Sequence, residues 1–221
     1  MNKTLIISAH ADDETFGMGG TLLRLSEDSD TELHWLIVTK IWQPKWSASV
    51  IQKRENAINI ICEKIDFKSV IRWDYEDNKL DTYPINDVQE SMIQLISTLK
   101  PNTIFTPSFW DFNHDHRLIC DIVEMSAKSY YSPYIEEIIA YEIPSATEHS
   151  FKSMRNFPSN LYYNITDHIA QKLDLLKLYE TELKKFPHPR SIEYVESLAK
   201  IRGGESGFYN AEAFHLFKAR R

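Results

Sequence analysis

The chain has 221 residues, 43% of them hydrophobic, with 25 Lys+Arg against 32 Asp+Glu and a formal net charge of −7. That is ample for one sizeable core, and acidic and basic residues interspersed without a basic patch argue against a nucleic-acid or membrane-surface partner. No apolar run approaches the ~20 residues that span a bilayer, so no integral membrane segment is expected.

Residues 4–8 are apolar and strand-like from the outset, with no basic leader or long apolar core ahead of them. Further strand-like runs fall at 33–39, 69–73, 102–107 and 137–143. Helix-period segments lie between them at 20–26, 50–64, 85–99 and 117–131. In the third of these, Ile85, Val88, Met92, Leu95, Ile96 and Leu99 mark one face at 3.6-residue spacing. Alternation of strand and helix predicts right-handed βαβ units in a mostly parallel sheet sandwiched by helices, a Rossmann-like α/β fold. Cys62 and Cys120 both fall in helix-like apolar stretches and read as reduced core thiols of a cytoplasmic protein.

The last third differs. Residues 161–165 read as a short strand, and Asp167 as the cap of a helix to about Leu183 with Ile169, Leu173, Leu176 and Leu178 on its apolar face. A Pro-rich break at 186–190 precedes a second helix at 192–201, ended by Arg202-Gly203-Gly204. With no internal repeat or linker, residues 1–221 are expected to form one domain with a helical C-terminal extension.

Two clusters carry the chemistry. Ser8-Ala9-His10-Ala11-Asp12-Asp13-Glu14 follows the first strand, and Asp111-Phe112-Asn113-His114-Asp115-His116-Arg117 follows the fourth. In parallel α/β sheets, sites gather at the carboxyl ends of strands, so His10, Asp13 and His116 are placed to converge. Zinc takes His nitrogen and Asp oxygen, and a catalytic zinc keeps one position open for water. If His10 and Asp13 hold a metal, Asp12 is left free to act on that water. The competing reading makes Asp12 and Asp13 helix caps, His10 a polar strand-end residue, and His114 and His116 solvent-exposed loop residues. Of the two later histidines, His116 is the better ligand candidate and His114 the weaker. Gly17-Met18-Gly19-Gly20 does not fit a dinucleotide loop, because its spacing is wrong and an acidic run precedes it; glycines there let a helix start close to the sheet.

Ala9-His10-Ala11-Asp12-Asp13-Glu14 with Gly17-Met18-Gly19-Gly20-Thr21 resembles the opening signature of the PIG-L/LmbE-like zinc N-deacetylases, A-H-P-D-D-E followed by G-x-G-G-T. Asn113-His114-Asp115-His116-Arg117 resembles their second signature, [HN]-x-D-H-R. Softer matches are Lys53-Arg54-Glu55, Asp77-Asn78-Lys79-Leu80-Asp81, Tyr141 to Ser145, and Arg202-Gly203 through Phe214. The resemblance implies Zn2+ on His10, Asp13 and His116, with Fe2+ also suited to such ligands. It implies Asp12 as general base and hydrolysis of the N-acetyl group of an amino sugar, a small-molecule substrate such as a GlcNAc-type glycoconjugate, nucleotide sugar or glycosylated metabolite. A homo-oligomer is compatible with it.

Two departures stand out. Ala11 replaces the family's proline, and Asn113 stands where many members carry a histidine. Asn donates hydrogen bonds but supplies no proton at neutral pH, so the acid role falls to Asp12 or to His114, with Asp115 orienting a ligand histidine. The expected substrate contacts are Arg54, Asp77, Glu142 and Arg202, with Trp110 as a stacking surface; the competing readings make Arg54 a surface arginine paired with a nearby acid, Asp77 a turn former and Glu142 a partner of Arg202. The alternatives are an amidase acting on another N-acyl group and a sugar-binding relative without turnover.

Overall fold

In the computed structural model, which describes residues 2–149 and 157–221, seven strands form one sheet flanked by helices. In chain order the elements are β1 (Asn2–Ser8), α1 (Asp13–Ser26), β2 (Thr31–Lys40), α2 (Ala48–Lys64), β3 (Phe67–Glu76), α3 (Ile85–Leu99), β4 (Thr103–Pro107), α4 (His114–Ser126), β5 (Glu137–Tyr141), β6 (Leu161–Asn164), α5 (Ile169–Leu178), α6 (Ile192–Ser206) and β7 (Ala211–Ala219). The strand order is β3-β2-β1-β4-β5-β7-β6, and β7 runs antiparallel to both β5 and β6. The mostly parallel α/β sandwich expected from the alternation is therefore the observed fold.

Side-chain alternation on β1 explains the two layers. Ile6 faces a core built with Phe16, Leu22, Ile58, Ile61, Leu176 and Val195, from α1, α2, α5 and α6. Leu5 and Ile7 face the opposite core, with Val88, Met92 and Ile96 of α3 and Ile119 and Val123 of α4. A strand buried on both faces needs an apolar run rather than strict alternation, and Leu5-Ile6-Ile7 supplies it.

Several boundaries differ from the sequence expectation. Helix α1 begins at Asp13, not Gly20, and kinks at Met18 (φ −144°, ψ 22°). Beyond the kink, the Gly20 and Thr21 amides donate to Glu212 of β7 at 3.0 and 2.7 Å, so a carboxylate from another element satisfies the restarting helix. Two glycines allow α1 to lie against its neighbours. A Cβ on Gly17 would sit 2.4 Å from the Tyr141 ring, and one on Gly20 would sit 2.9 Å from Ile165. Helix α4 starts at His114 because Asn113 caps it, and ends at Ser126. Asp167 lies in a turn and caps nothing; α5 starts at Ile169 and stops at Leu178. The C-terminal extension contains the two expected helices and also supplies β7, which inserts between β5 and β6.

From β1 the chain moves outward through β2 and β3, then returns to place β4 on the other side of β1. The β1/β4 boundary is the topological switch point, and both acidic-histidine clusters leave the sheet there.

Candidate metal centre

His10 follows β1, and Asp13 opens α1 after a turn in which the Asp12 and Asp13 amides both return to the His10 carbonyl. Neither carboxylate caps the helix. Asp12 occupies the cap position without a side-chain cap bond, and Asp13 Oδ2 accepts instead from the His10 amide at 2.8 Å. Both acids are buried, at 2% and 0% exposure, yet Asp12 Oδ1 and Asp13 Oδ1 have no hydrogen-bond donor. Burying a carboxylate oxygen without a donor is costly, so an electropositive partner is called for at this point.

The second cluster meets it from β4. Asn113 Oδ1 accepts from the Asp115 and His116 amides at 2.9 and 3.3 Å, fixing the first turn of α4. That turn aims His116 inward, where Nε2 lies 3.1 Å from His10 Nδ1 and 3.2 Å from Asp13 Oδ1. His10 Nδ1 is 3.5 Å from Asp13 Oδ2. Ligands of a tetrahedral zinc with bonds of roughly 2.0–2.1 Å lie about 3.3 Å apart, close to these separations, and His10, Asp13 and His116 each offer one atom within 4.8 Å of the other two.

Each imidazole presents its other nitrogen to a carboxylate. His116 Nδ1 is 2.9 Å from Asp111 Oδ2, in an ion-pair contact not aligned as a hydrogen bond. His10 Nε2 is 3.1 Å from Asp115 Oδ2 and 3.3 Å from Asp77 Oδ1. Asp77 also receives Lys45 Nζ at 3.1 Å, and Asp115 the Asn78 amide at 2.9 Å. His10, Asp77 and Asp115 also lie close enough together to hold an ion, but these bonds already occupy the two acids. They therefore read as carboxylates that orient His10 and raise its basicity.

Electrostatics agree with the geometry. Burial opposes charge on His116, but Asp13 and Asp111 outweigh it and push the imidazole up to about 9. Burial likewise opposes charge on His10, where Asp13, Asp115 and Asp77 prevail and hold it well above its usual range. Burial would raise Asp13, yet His116 and His10 hold it well below the ordinary carboxylate range. The pocket of negative potential that retains protons on two buried imidazoles equally favours a cation between them. His10, Asp13 and His116 thus fit a divalent metal in spacing, donor type and charge.

Asp12 projects from the same turn. Its Oδ2 accepts from Arg190 Nη1 at 2.9 Å, and the same nitrogen reaches Glu182 Oε2 at 2.9 Å. Arg54 donates to the Ala11 carbonyl at 3.1 Å and pairs with Glu182 through its other terminal nitrogen. A cavity of about 560 Å³ opens beside His10, Ala11, Arg54 and Asp77, walled further by Trp42 and Trp73. Its size suits a small ligand.

The structure therefore gathers His10, Asp12, Asp13, Asp77, Asp115 and His116, with Arg54 on the cavity wall. The remaining expected residues lie elsewhere or face other partners. His114 is exposed, 3.7 Å from Asp81 and 3.2 Å from Arg117. The Asn113 side-chain oxygen is occupied as the α4 cap. Trp110 packs into an aromatic group with Phe109, His215 and Phe217 and does not line this cavity. Glu142 and Arg202 pair with each other through two bonds of 2.7 and 2.8 Å, also off the cavity. Sequence reasoning did not single out Asp111, Glu182 or Arg190. Asp111 was legible as an acid five residues before His116, whereas Arg190 reaches Asp12 across 178 positions with no local signal.

The family model described as PIG-L, GlcNAc-PI de-N-acetylase, matches residues 5–127, which include both clusters. Among solved structures, the N,N'-diacetylchitobiose deacetylase of Pyrococcus horikoshii is 20% identical with a TM-score of 0.76, over 98% of this chain and 84% of that one. The conserved protein TT1542 of Thermus thermophilus is 19% identical with a TM-score of 0.79, over 100% and 97%. GalB, the 4-carboxy-2-hydroxymuconate hydratase of Pseudomonas putida, is 16% identical with a TM-score of 0.74, over 100% and 98%. These likenesses establish a shared fold; a fold that also serves a hydratase leaves function to be argued from the site.

Proposed function

The chain belongs to the PIG-L, GlcNAc-PI de-N-acetylase, family, and from that premise we propose that it is a metal-dependent hydrolase removing the N-acetyl group of an N-acetyl amino sugar. The observation that carries this reading is the convergence of His10 Nδ1, His116 Nε2 and the donor-free Asp13 Oδ1, with the donor-free Asp12 Oδ1 one residue away. Zn2+ is the proposed ion and Fe2+ the alternative, since two imidazoles and a carboxylate suit both. Bound there, the ion supplies Lewis-acid polarisation of the amide carbonyl and acidification of water.

The chain's own groups do the rest. Asp12 Oδ1, buried and without a donor, is the acceptor for the proton of the attacking water. The same carboxyl returns a proton to the amine as the C–N bond breaks, because an unprotonated amine is a poor leaving group. The Asn113 oxygen caps α4 and its amide supplies no proton at neutral pH, so the proton is assigned to Asp12 rather than to position 113. Asp115 and Asp111 orient His10 and His116, whose inner nitrogens would be free of protons with an ion bound. Arg54 and the edge of Asp77 offer polar contacts to sugar hydroxyls, and Trp42 and Trp73 offer apolar faces to a sugar ring.

We further propose residues 1–221 as a single deacetylase domain located in the cytoplasm. Free Cys62 and Cys120 suit a reducing compartment, and no described helix is long and apolar enough to cross a membrane. The test is acetate release from a panel of N-acetylglucosamine conjugates, with and without a chelator. Release that stops on chelation and returns with Zn2+ or Fe2+ supports the assignment. Release of a different acyl group alone would move the chain to the amidase reading.

A further inference from the structure

The Pro-rich break between α5 and α6 ends at Arg190, and its backbone is pinned. The Arg190 amide donates to His188 Nδ1 at 3.0 Å, and its carbonyl accepts from the Lys184 amide at 3.2 Å. The next residue, Ser191, is fully buried and caps α6 by accepting from the Tyr194 amide at 3.1 Å. From this anchored stem the side chain runs inward across the Phe16 ring, 5.1 Å from its centroid. Its Nε donates to Ser145 Oγ at 2.9 Å, and Nη1 is shared between Asp12 Oδ2 and Glu182 Oε2, each at 2.9 Å. Glu182 continues to Arg54, which donates to the Ala11 carbonyl in the Asp12 turn. Asp12, Arg190, Glu182 and Arg54 thus alternate in charge around the base and return to the chain beside it.

Only one oxygen of Asp12 is engaged. Oδ2 takes the Arg190 bond, while Oδ1 is buried and takes none. A carboxylate attached through one rotatable Cβ can exchange its two oxygens, and a guanidinium fixed from several sides suppresses that exchange. Resting on the deacetylase reading, we propose that Arg190 is a positioning residue, which holds Asp12 Oδ2 so that Oδ1 is the oxygen presented to the reacting water. Arg190 and Glu182 both lie outside the matched family region 5–127, so this support for the base comes from the C-terminal extension. It gives the break at 186–190 a function that neither α5 nor α6 requires.

The experiment compares the wild-type chain with Arg190→Ala and Arg190→Lys, reading kcat, KM, metal content and melting temperature. Misplacing a reacting group by about 1 Å costs on the order of 100-fold. Arg190→Ala is therefore expected to lose about 10- to 100-fold in kcat, with KM changed less than about twofold and metal content unchanged. Guanidinium at low, non-denaturing concentration should restore part of the kcat of Arg190→Ala saturably. Arg190→Lys, which keeps the charge but not the fork, should fall between the two and keep the variant series readable if Arg190→Ala folds poorly. An unchanged kcat in Arg190→Ala overturns the proposal, as does a loss that tracks lowered melting temperature or metal content and does not respond to guanidinium. A wild-type chain that releases no acetate from any conjugate overturns the deacetylase reading and this one with it, whereas an active wild type confines the failure to Arg190.

Discussion

Glu142 and Arg202 give the sharpest prediction, because as substrate contacts they would face the cavity, whereas the structure pairs them with each other, the competing reading of Glu142. Arg202 Nε and Nη2 donate to the two Glu142 oxygens at 2.8 and 2.7 Å, and each residue is only 8% exposed. Burial raises Glu142 above the usual carboxylate range despite the arginine. Burial works against Arg202 too, but Glu142 and Glu205 together hold it above its ordinary value. Glu142 faces Arg202 and Lys172, and Arg202 serves the two acids Glu142 and Glu205. Removing Arg202 leaves Glu142 buried without its partner, a loss of about 3–5 kcal/mol, whereas removing Glu142 leaves Arg202 its two bonds to Glu205 and costs less. For a chain of this length each kcal/mol shifts the melting temperature by roughly 2–4 °C. Arg202→Met should therefore melt about 6–20 °C lower, and Glu142→Leu should fall by less. The double variant should recover most of that loss, since a buried pair exchanged for apolar groups of similar volume is often neutral. Calorimetric melting of the three variants, with KM for the best conjugate measured below their transitions, reads both quantities. A raised KM with unchanged melting temperature would refute the reasoning and restore the substrate role.

Three further outcomes follow from the same geometry. Asp12→Asn should retain bound metal and lose about 10²- to 10⁴-fold in kcat; kinetics that do not change would remove the base assignment. Asn113→Ala should cost about 1 kcal/mol in chemical denaturation, the value of a lost N-cap, with Asn113→Asp recovering it; an unaltered midpoint would contradict the capping role. In the metal-free chain His116 lies at about 9, and Glu14, pushed up by burial, at about 7. Both folded values exceed the unfolded ones. Their contribution to stability is therefore complete at low pH, lost for Glu14 between about 4.5 and 7 and for His116 between about 6.5 and 9. Chelator-treated protein should melt progressively lower across that range, and a melting temperature rising from pH 6.5 to 9 would count against the buried charge assignments.

Where local pattern decides the outcome, the sequence was readable. Leu5-Ile6-Ile7 announces a strand buried on both faces, and Val88, Met92 and Ile96 announce one helix face; all lie where expected. His10, Asp13 and His116 were legible because each sits beside a strand end, and a parallel sheet brings such ends together. What escaped depended on distant partners. Residues 211–219, A-E-A-F-H-L-F-K-A, alternate weakly and favour helix by composition, yet pairing with β5 and β6 makes them a strand. The start of α1 was missed because Gly17 to Gly20 break the helical pattern, while Glu212 supplies acceptors from 191 residues away. Trp110 was correctly placed beside the second cluster in sequence, but its ring is drawn to Phe109 and Phe217. Arg190 is visible only once α5 and α6 have folded onto α1.

The most direct test of the central claim is metal stoichiometry in purified wild-type chain, His116→Ala and His114→Ala, each reconstituted with zinc and dialysed. The geometry predicts about one ion per chain in the wild type and in His114→Ala, and almost none in His116→Ala. Full occupancy in His116→Ala, or an empty wild-type site after reconstitution, would contradict a metal centre on His10, Asp13 and His116.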